Sequence, residues 1–413
     1  MTILIRNIAS LFNVRSENNL LRGEELAILP KLDNAYLIIE NGLIADFGSM
    51  ENLKSVKANS FENIIDAFGQ FILPAWCDSH THIVFAGSRE HEFVDKINGL
   101  SYAEIAAKGG GILNSANKLH EASDDQLFNE AWKRLEEIAH FGTGAVEIKS
   151  GYGLTVASEL KMLRVIKKLK EKSTLSIKST FLGAHTFPLH YKENHEGYIN
   201  EIIDEMLPVI ATEKLADYID VFCETGFFSP EEMIRICKAG KALGLKPKLH
   251  VNQLNSIGGI KAAIELDAIS VDHLETMTDQ DVADLSGSST IGTLLPTAAY
   301  FLRMPFQPAR QLIKSGCAIS LASDFNPGSS PSGNMNQVVS MSCIQMKMLP
   351  QEAINAATIN GAYAMELENE VGSIMKGKKA NLIFTKPIPS ISYYPYAFGS
   401  NLIDKVMIAG NIL

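Results

Sequence analysis

Residues 71–87 read FILPAWCDSHTHIVFAG, an apolar run followed closely by His80-Thr81-His82. On extended backbone, residues i and i+2 project to the same side, roughly 7 Å apart at Cα. Two imidazoles so placed can grip one metal ion together. An isolated H-x-H reads more readily as two polar loop residues, because the motif is short. The rest of the chain decides between these readings.

Short apolar runs recur at Phe71–Leu73, Ala145–Ile148, Leu175–Leu182, Tyr218–Phe222, Pro247–Val251, Ala268–Val271, Thr290–Leu295 and Ala318–Ala322. Between most of them lie amphipathic stretches such as DDQLFNEAWKRLEEIAHFG (124–142) and SPEEMIRICKAGKALG (229–244). The second opens on a Ser-Pro-Glu-Glu helix-start signal and closes on glycine. Eight strands alternating with helices predict an α/β fold, a (β/α)8 TIM-like barrel. Outside it, AYLIIENGLIADFG (35–48) holds two apolar runs, Tyr36–Ile39 and Leu43–Phe47, around Glu40-Asn41-Gly42. Asn-Gly between such runs is a hairpin signal. KKANLIFTK (378–386) and DKVMIAGNIL (404–413) echo it near the other end. We therefore expect a small β-sandwich domain built from both terminal segments, residues 1–70 and 369–413, flanking a barrel over residues 71–368.

Active sites of such barrels lie at the C-terminal ends of the strands. At or just past the predicted strands stand His80 and His82, then Tyr152, His185, Glu224, His250, His273 and Asp324. Nearly every strand thus delivers a polar side chain to one rim, which favours the metal reading of His80 and His82 and adds His250 and Asp324 to it. Three neutral imidazoles and one carboxylate suit one divalent ion, Zn2+ or Fe2+, with a position left for water. His91, His120, His140, His190 and His195 have no strand-end placement and read as surface or packing residues.

The motifs DSHTHIVFAGSR (78–89), EIKSGYGL (147–154), TFLGAHTFP (180–188), KLHVNQL (248–254), SVDHLE (270–275) and SLASDFNPGSSP (320–331) resemble those of the amidohydrolase superfamily of metal-dependent hydrolases. The resemblance runs along essentially the whole chain and is closest to the imidazolonepropionase family. It implies hydrolysis of the ring amide of 4-imidazolone-5-propanoate to N-formimino-L-glutamate in histidine degradation, at a single metal. It implies His80, His82, His250 and Asp324 as metal ligands. Arg89, Tyr152, His185 and Gln253 are implied as substrate contacts, and Asn326, Gly328 and Ser329 as holders of the carboxylate. In that scheme Asp324 accepts the water proton and returns it to the departing nitrogen. His273 steadies the oxyanion. Arg89 offers a two-pronged donor to the propionate, and NPGSSP follows the eighth strand, where barrels build anion pockets from backbone N–H groups.

Two departures matter. Members of the family carry Glu or Gln three residues after the fifth-strand histidine; Gln253 cannot take a proton and is left to orient substrate. Lys149 follows the second strand, the wrong place for the carbamylated lysine that bridges two metals in relatives, so it reads as structural. Glu224 likewise reads as structural, or as a support of the site. The main alternative is a mononuclear nucleobase or nucleoside deaminase of the same superfamily, which would use a glutamate where Gln253 stands. A catalytically dead scaffold is the non-enzymatic alternative.

Composition narrows the partners to a small-molecule substrate. The net charge of −10 disfavours nucleic acid and anionic membrane. The sequence shows no run of membrane-spanning length and no evident signal peptide at MTILIRNIASLFNV, and its five cysteines are scattered. These features predict a cytoplasmic enzyme with reduced thiols, and barrels of this type commonly pair as homodimers.

Overall fold

The computed structural model describes residues 1–55, 61–100, 104 and 110–413. One of its two eight-stranded sheets has its strands in sequential order: β6 (Trp76–Thr81), β7 (Thr143–Lys149), β8 (Ser176–Ala184), β9 (Tyr218–Cys223), β10 (Lys246–Val251), β11 (Ser270–His273), β12 (Ile291–Leu294) and β13 (Ile319–Leu321). Every adjacent pair is parallel. The barrel closes just beyond β13, where the Asp324 amide donates to the His80 carbonyl (3.0 Å) and the His82 amide to the Phe325 carbonyl (2.9 Å). Lower down, Asp78 accepts from the Ser323 amide (2.9 Å) and hydroxyl (2.6 Å). The seam between first and last strands is therefore made by the backbones of His80, His82 and Asp324 together with their neighbours Asp78, Ser323 and Phe325.

The connecting helices form where the sequence signals them. Asp124–His140 is capped by Ser123, whose hydroxyl accepts from the Gln126 amide, and it buries Leu127, Ala131, Leu135 and Ile138 along one face. That i, i+4 spacing is the core stripe of an amphipathic helix. Pro230–Ala242 begins with a reciprocal capping box between Ser229 and Glu232.

The terminal segments build a second sheet from β1 (Thr2–Phe12), β2 (Lys31–Glu40), β3 (Leu43–Ser49), β4 (Asn63–Asp66), β5 (Phe71–Pro74), β14 (Leu382–Thr385), β15 (Ile403–Ile408) and β16 (Asn411–Ile412). Its order is β16-β15-β14-β5-β1-β2-β3, with β4 beside β1. Ile5, Ile8, Leu37, Ile39, Leu382, Phe384 and Met407 join the two chain ends in one apolar cluster. The β2–β3 hairpin turns on Asn41 and Gly42, both at positive φ (52° and 81°), the backbone of a type I′ turn. A Cβ on Gly42 would stand 2.6 Å from the Ala409 carbonyl oxygen, so glycine is also needed for the close approach of the C-terminal segment.

One strand assignment is corrected. Phe71–Leu73, expected to open the barrel, belongs to the terminal sheet: it pairs parallel with β1 (Ser10 opposite Phe71) and antiparallel with β14 (Leu73 opposite Ile383). The first barrel strand is the next segment, Trp76–Thr81. Its polar sequence, WCDSHT, hides it from a hydrophobicity reading, because Asp78 serves the barrel closure and His80 points to the candidate metal centre.

Candidate metal centre and substrate pocket

His80 is the penultimate residue of β6, His82 follows the strand, and His250 lies near the end of β10; each offers one ring nitrogen, and the three nitrogens lie within 4.8 Å of one another. Asp324 Oδ1 stands 3.5 Å from His80 Nε2 and 3.6 Å from His82 Nε2. All four side chains are buried. Burial, with Lys149 and the neighbouring imidazoles adding to it, holds His80 and His250 well below the usual histidine range; His82 is lowered by burial and then chiefly by His185 and His250. Neutral imidazole is the form that ligates metal.

The donors fit a single divalent ion. His80 Nδ1 bonds Asp272 Oδ2 at 2.6 Å and His250 Nδ1 bonds Asp220 Oδ2 at 2.8 Å, so each ring presents Nε2 inward. Both Nε2 atoms are buried without a hydrogen-bond partner, an arrangement that a bound cation would satisfy. Asn252, His273, Leu274 and Asp324 all have positive φ (56°, 90°, 65° and 53°) at the exits of β10, β11 and β13. Backbone strain of this kind collects where side chains must be aimed at a site.

His273 is different from the three clustered imidazoles. Burial lowers its pKa, but Glu275, 3.3 Å from Nδ1, outweighs it and leaves the imidazole above its ordinary value. It is therefore suited to donate a hydrogen bond. His185 sends Nδ1 to the Gly151 carbonyl (3.0 Å), and burial lowers it to about 4. A carbonyl only accepts, so Nδ1 carries the proton and Nε2 is an acceptor. Burial raises the Tyr152 hydroxyl far above its usual pKa and keeps it a phenol. Burial also lifts Asp324 to about 6.

A cavity of about 480 Å³ opens beside these groups, with His82, Tyr152, His185, His250, Gln253, Asp324, Asn326, Gly328 and Ser329 on its walls and Phe222, Phe227, Leu302 and Met304 as its apolar side. Arg89 lines it too, with Nε and Nη2 donating to Glu92 Oε2 at 2.9 and 2.6 Å. The guanidinium presses on Gly328: a Cβ there would fall 2.3 Å from Nη1. The residues that the sequence pointed to thus converge on one rim. The NPGSSP turn differs in detail from expectation. The Gly328 and Ser329 amides both donate to Asn326 Oδ1 at 2.8 Å, so they close an Asx turn and do not face the cavity as free anion donors. Cationic charge is supplied by Arg89 and by Lys96, whose ammonium is 3.5 Å from the Gly328 carbonyl.

Lys96 is one of the residues a sequence reading misses, since it sits in the last turn of the helix Glu90–Ile97 with no motif around it. Asp220, Asp272 and Glu275 are others; Asp220 and Asp272 carried a signal, an aspartate inside a buried β run. Glu224, read as structural or supporting, accepts from the Leu254 and Asn255 amides (2.8 and 3.1 Å) and so pins the loop carrying Gln253. The remaining histidines lie apart: His120 bonds the Gly153 carbonyl, His140 the Glu136 carbonyl, and His195 stacks on Phe187, while His91 and His190 are exposed. All five cysteines are free, and among the described residues no helix is long and apolar enough to cross a membrane.

The amidohydrolase family model matches residues 71–413. A protein named imidazolonepropionase from Flavobacterium johnsoniae is 62% identical over the full length of both chains. One of the same name from Clostridium tetani is 43% identical over 95% of this chain and 93% of its own. Among solved structures, a zinc-bound adenosine deaminase from Xanthomonas campestris superposes with a TM-score of 0.72 at 15% identity, covering 99% of this chain and 92% of its own. A guanine deaminase from C. acetobutylicum superposes at 0.70 with 15% identity over all of both chains. These two share the fold. By its matched residues and its full-length relatives, this chain belongs to the amidohydrolase family.

Proposed function

We infer that the chain is an imidazolonepropionase, hydrolysing the ring amide of 4-imidazolone-5-propanoate to N-formimino-L-glutamate in histidine degradation. The observation that carries the reading is one cavity with two unlike ends: the four-donor set His80, His82, His250 and Asp324, and the cations Arg89 and Lys96. A ring that must be hydrolysed and a carboxylate that must be held match these ends in kind.

His80, His82, His250 and Asp324 would hold a single divalent ion, zinc or iron, and when bound it would supply Lewis acidity toward a water molecule and the scissile carbonyl. Asp324 accepts a proton from the attacking water and passes it to the ring nitrogen as the C–N bond breaks. His273, kept basic by Glu275, donates to the carbonyl oxygen as negative charge grows there. Tyr152, His185 and Gln253 orient the ring; Gln253 moves no proton. Arg89 and Lys96 hold the propionate, and Ser329, whose hydroxyl is 3.2 Å from Asp324 Oδ2, positions the base. A cytoplasmic homodimer completes the proposal; Tyr396 and Phe398, 77% and 71% exposed, offer an apolar edge for pairing.

The test is to add 4-imidazolone-5-propanoate to purified protein, follow the loss of its ultraviolet absorbance, and measure metal by elemental analysis. Turnover with about one equivalent of zinc or iron supports the reading. Ammonia release from guanine or adenosine, with the imidazolone untouched, would replace it with the deaminase alternative.

A further inference from the structure

We propose that Lys149 is a positioning residue of the metal centre, tying the orientations of His80 and His250 to one buried ammonium; this rests on the metal site inferred above. Lys149 Nζ lies 2.9 Å from Asp220 Oδ2 and 3.4 Å from Asp272 Oδ2. Those same oxygens hold Nδ1 of His250 and of His80. Asp220 also accepts the His250 amide at 3.0 Å, and Asp272 the Ser270 hydroxyl at 2.6 Å, so neither carboxylate has room to turn. A third carboxylate, Glu147, forms ion pairs with Lys149 at 2.7 Å and Lys248 at 2.6 Å.

All five charged side chains have no solvent exposure. Two ammonium groups thus face three carboxylates inside the barrel, and the excess negative charge lies behind the imidazoles. A carboxylate behind a ligating histidine fixes its tautomer and ring plane and makes it a better donor. Here one cation holds two such carboxylates, so a change at Lys149 reaches two of the four ligands together. A lysine that only filled the barrel interior would need neither shared oxygen.

The test is Co2+ affinity by chelator competition, together with the visible absorption of the Co2+-loaded protein. Lys149→Met leaves three carboxylates facing one ammonium and risks misfolding, so the charge-balanced K149M/E147Q is made beside it. The expected result is a 10- to 100-fold loss of Co2+ affinity and a shifted visible spectrum in the balanced variant, with the melting temperature of its metal-free form close to wild type. D272N should weaken Co2+ binding by a smaller factor in K149M/E147Q than in the wild-type background, because Asp272 still bonds His80 Nδ1 there but no longer shares the Lys149 ammonium; equal factors in the two backgrounds would overturn the coupling. Affinity and spectrum within twofold of wild type in the balanced variant would overturn the role of Lys149. A wild-type protein that takes up no Co2+ would instead overturn the metal site itself.

Discussion

Arg89 does not enter the pocket as a free cation. Its Nε and Nη2 both donate to Glu92 Oε2, and Glu92 is itself fixed by the Gly111 amide and the Asn114 side chain, each at 3.1 Å. Glu92 is 7% exposed, so little solvent screens it. Removing Arg89 therefore acts twice. It deletes a charge-assisted hydrogen bond to the propionate, about 1.5–3 kcal/mol. It also leaves Glu92 charged roughly 6 Å from the substrate carboxylate, a repulsion of about 2–3 kcal/mol at an effective dielectric of ~20. Arg89→Ala should then raise KM by roughly a thousandfold, at about 1.4 kcal/mol per factor of ten. The double variant R89A/E92Q should lose only the hydrogen bond and raise KM by roughly 10- to 100-fold. Turnover at saturation should change little in both, since a remote carboxylate is bound alike in ground and transition states. Steady-state kinetics on 4-imidazolone-5-propanoate measure both parameters. A KM within threefold of wild type in R89A would remove Arg89 from substrate binding. A double variant no better than the single would show that Glu92 does not act on the pocket through Arg89.

Lys96→Met should raise KM about tenfold with kcat unchanged, by loss of one charge-assisted contact; a fall in kcat at constant KM would contradict that role. His80→Ala should lose bound metal and activity together, read by elemental analysis beside the ultraviolet assay; full metal content would show that His80 is no ligand. Asp324→Asn should cost on the order of 10²–10⁴ in turnover while the imidazoles retain metal, and near-normal turnover would refute the base role. Asp78 gives a pH prediction: burial raises its carboxyl to about 7. Its stability contribution is present below the unfolded carboxylate pKa, roughly 3.9, and is lost as pH rises through about 7. In the metal-free protein, D78N should flatten the fall in melting temperature between pH 4 and pH 7, because asparagine can still bond Ser323 without ionising. An unchanged slope in D78N would assign the dependence to other groups.

Much of the site was legible because barrel chemistry is indexed to strand ends. His250, His273 and Asp324 follow apolar runs, and glycine or capping residues mark where helices begin and end, so local signals placed the functional types on one rim. Sheet membership was not legible. Phe71–Leu73 is an apolar run like any other, and only its partners, Ser10 and Ile383, assign it to the terminal sheet. Charge pairing was hidden for the same reason. Nothing local shows that Lys149 stands behind two of the proposed ligands, whereas the Arg89–Glu92 pair and the Asn326 turn over Gly328 and Ser329 join residues no more than three apart and lie within reach of local rules.

By itself the sequence determined which donors exist and which end of each strand carries them, since alternation and capping are properties of a few consecutive residues. The tertiary structure decided which donors meet. Closing β13 against β6 brings Asp324 to His80, and charges contributed by β7, β9 and β11 fill the barrel interior behind His80 and His250. That outcome depends on parallel register around a closed ring, which no single stretch of chain encodes.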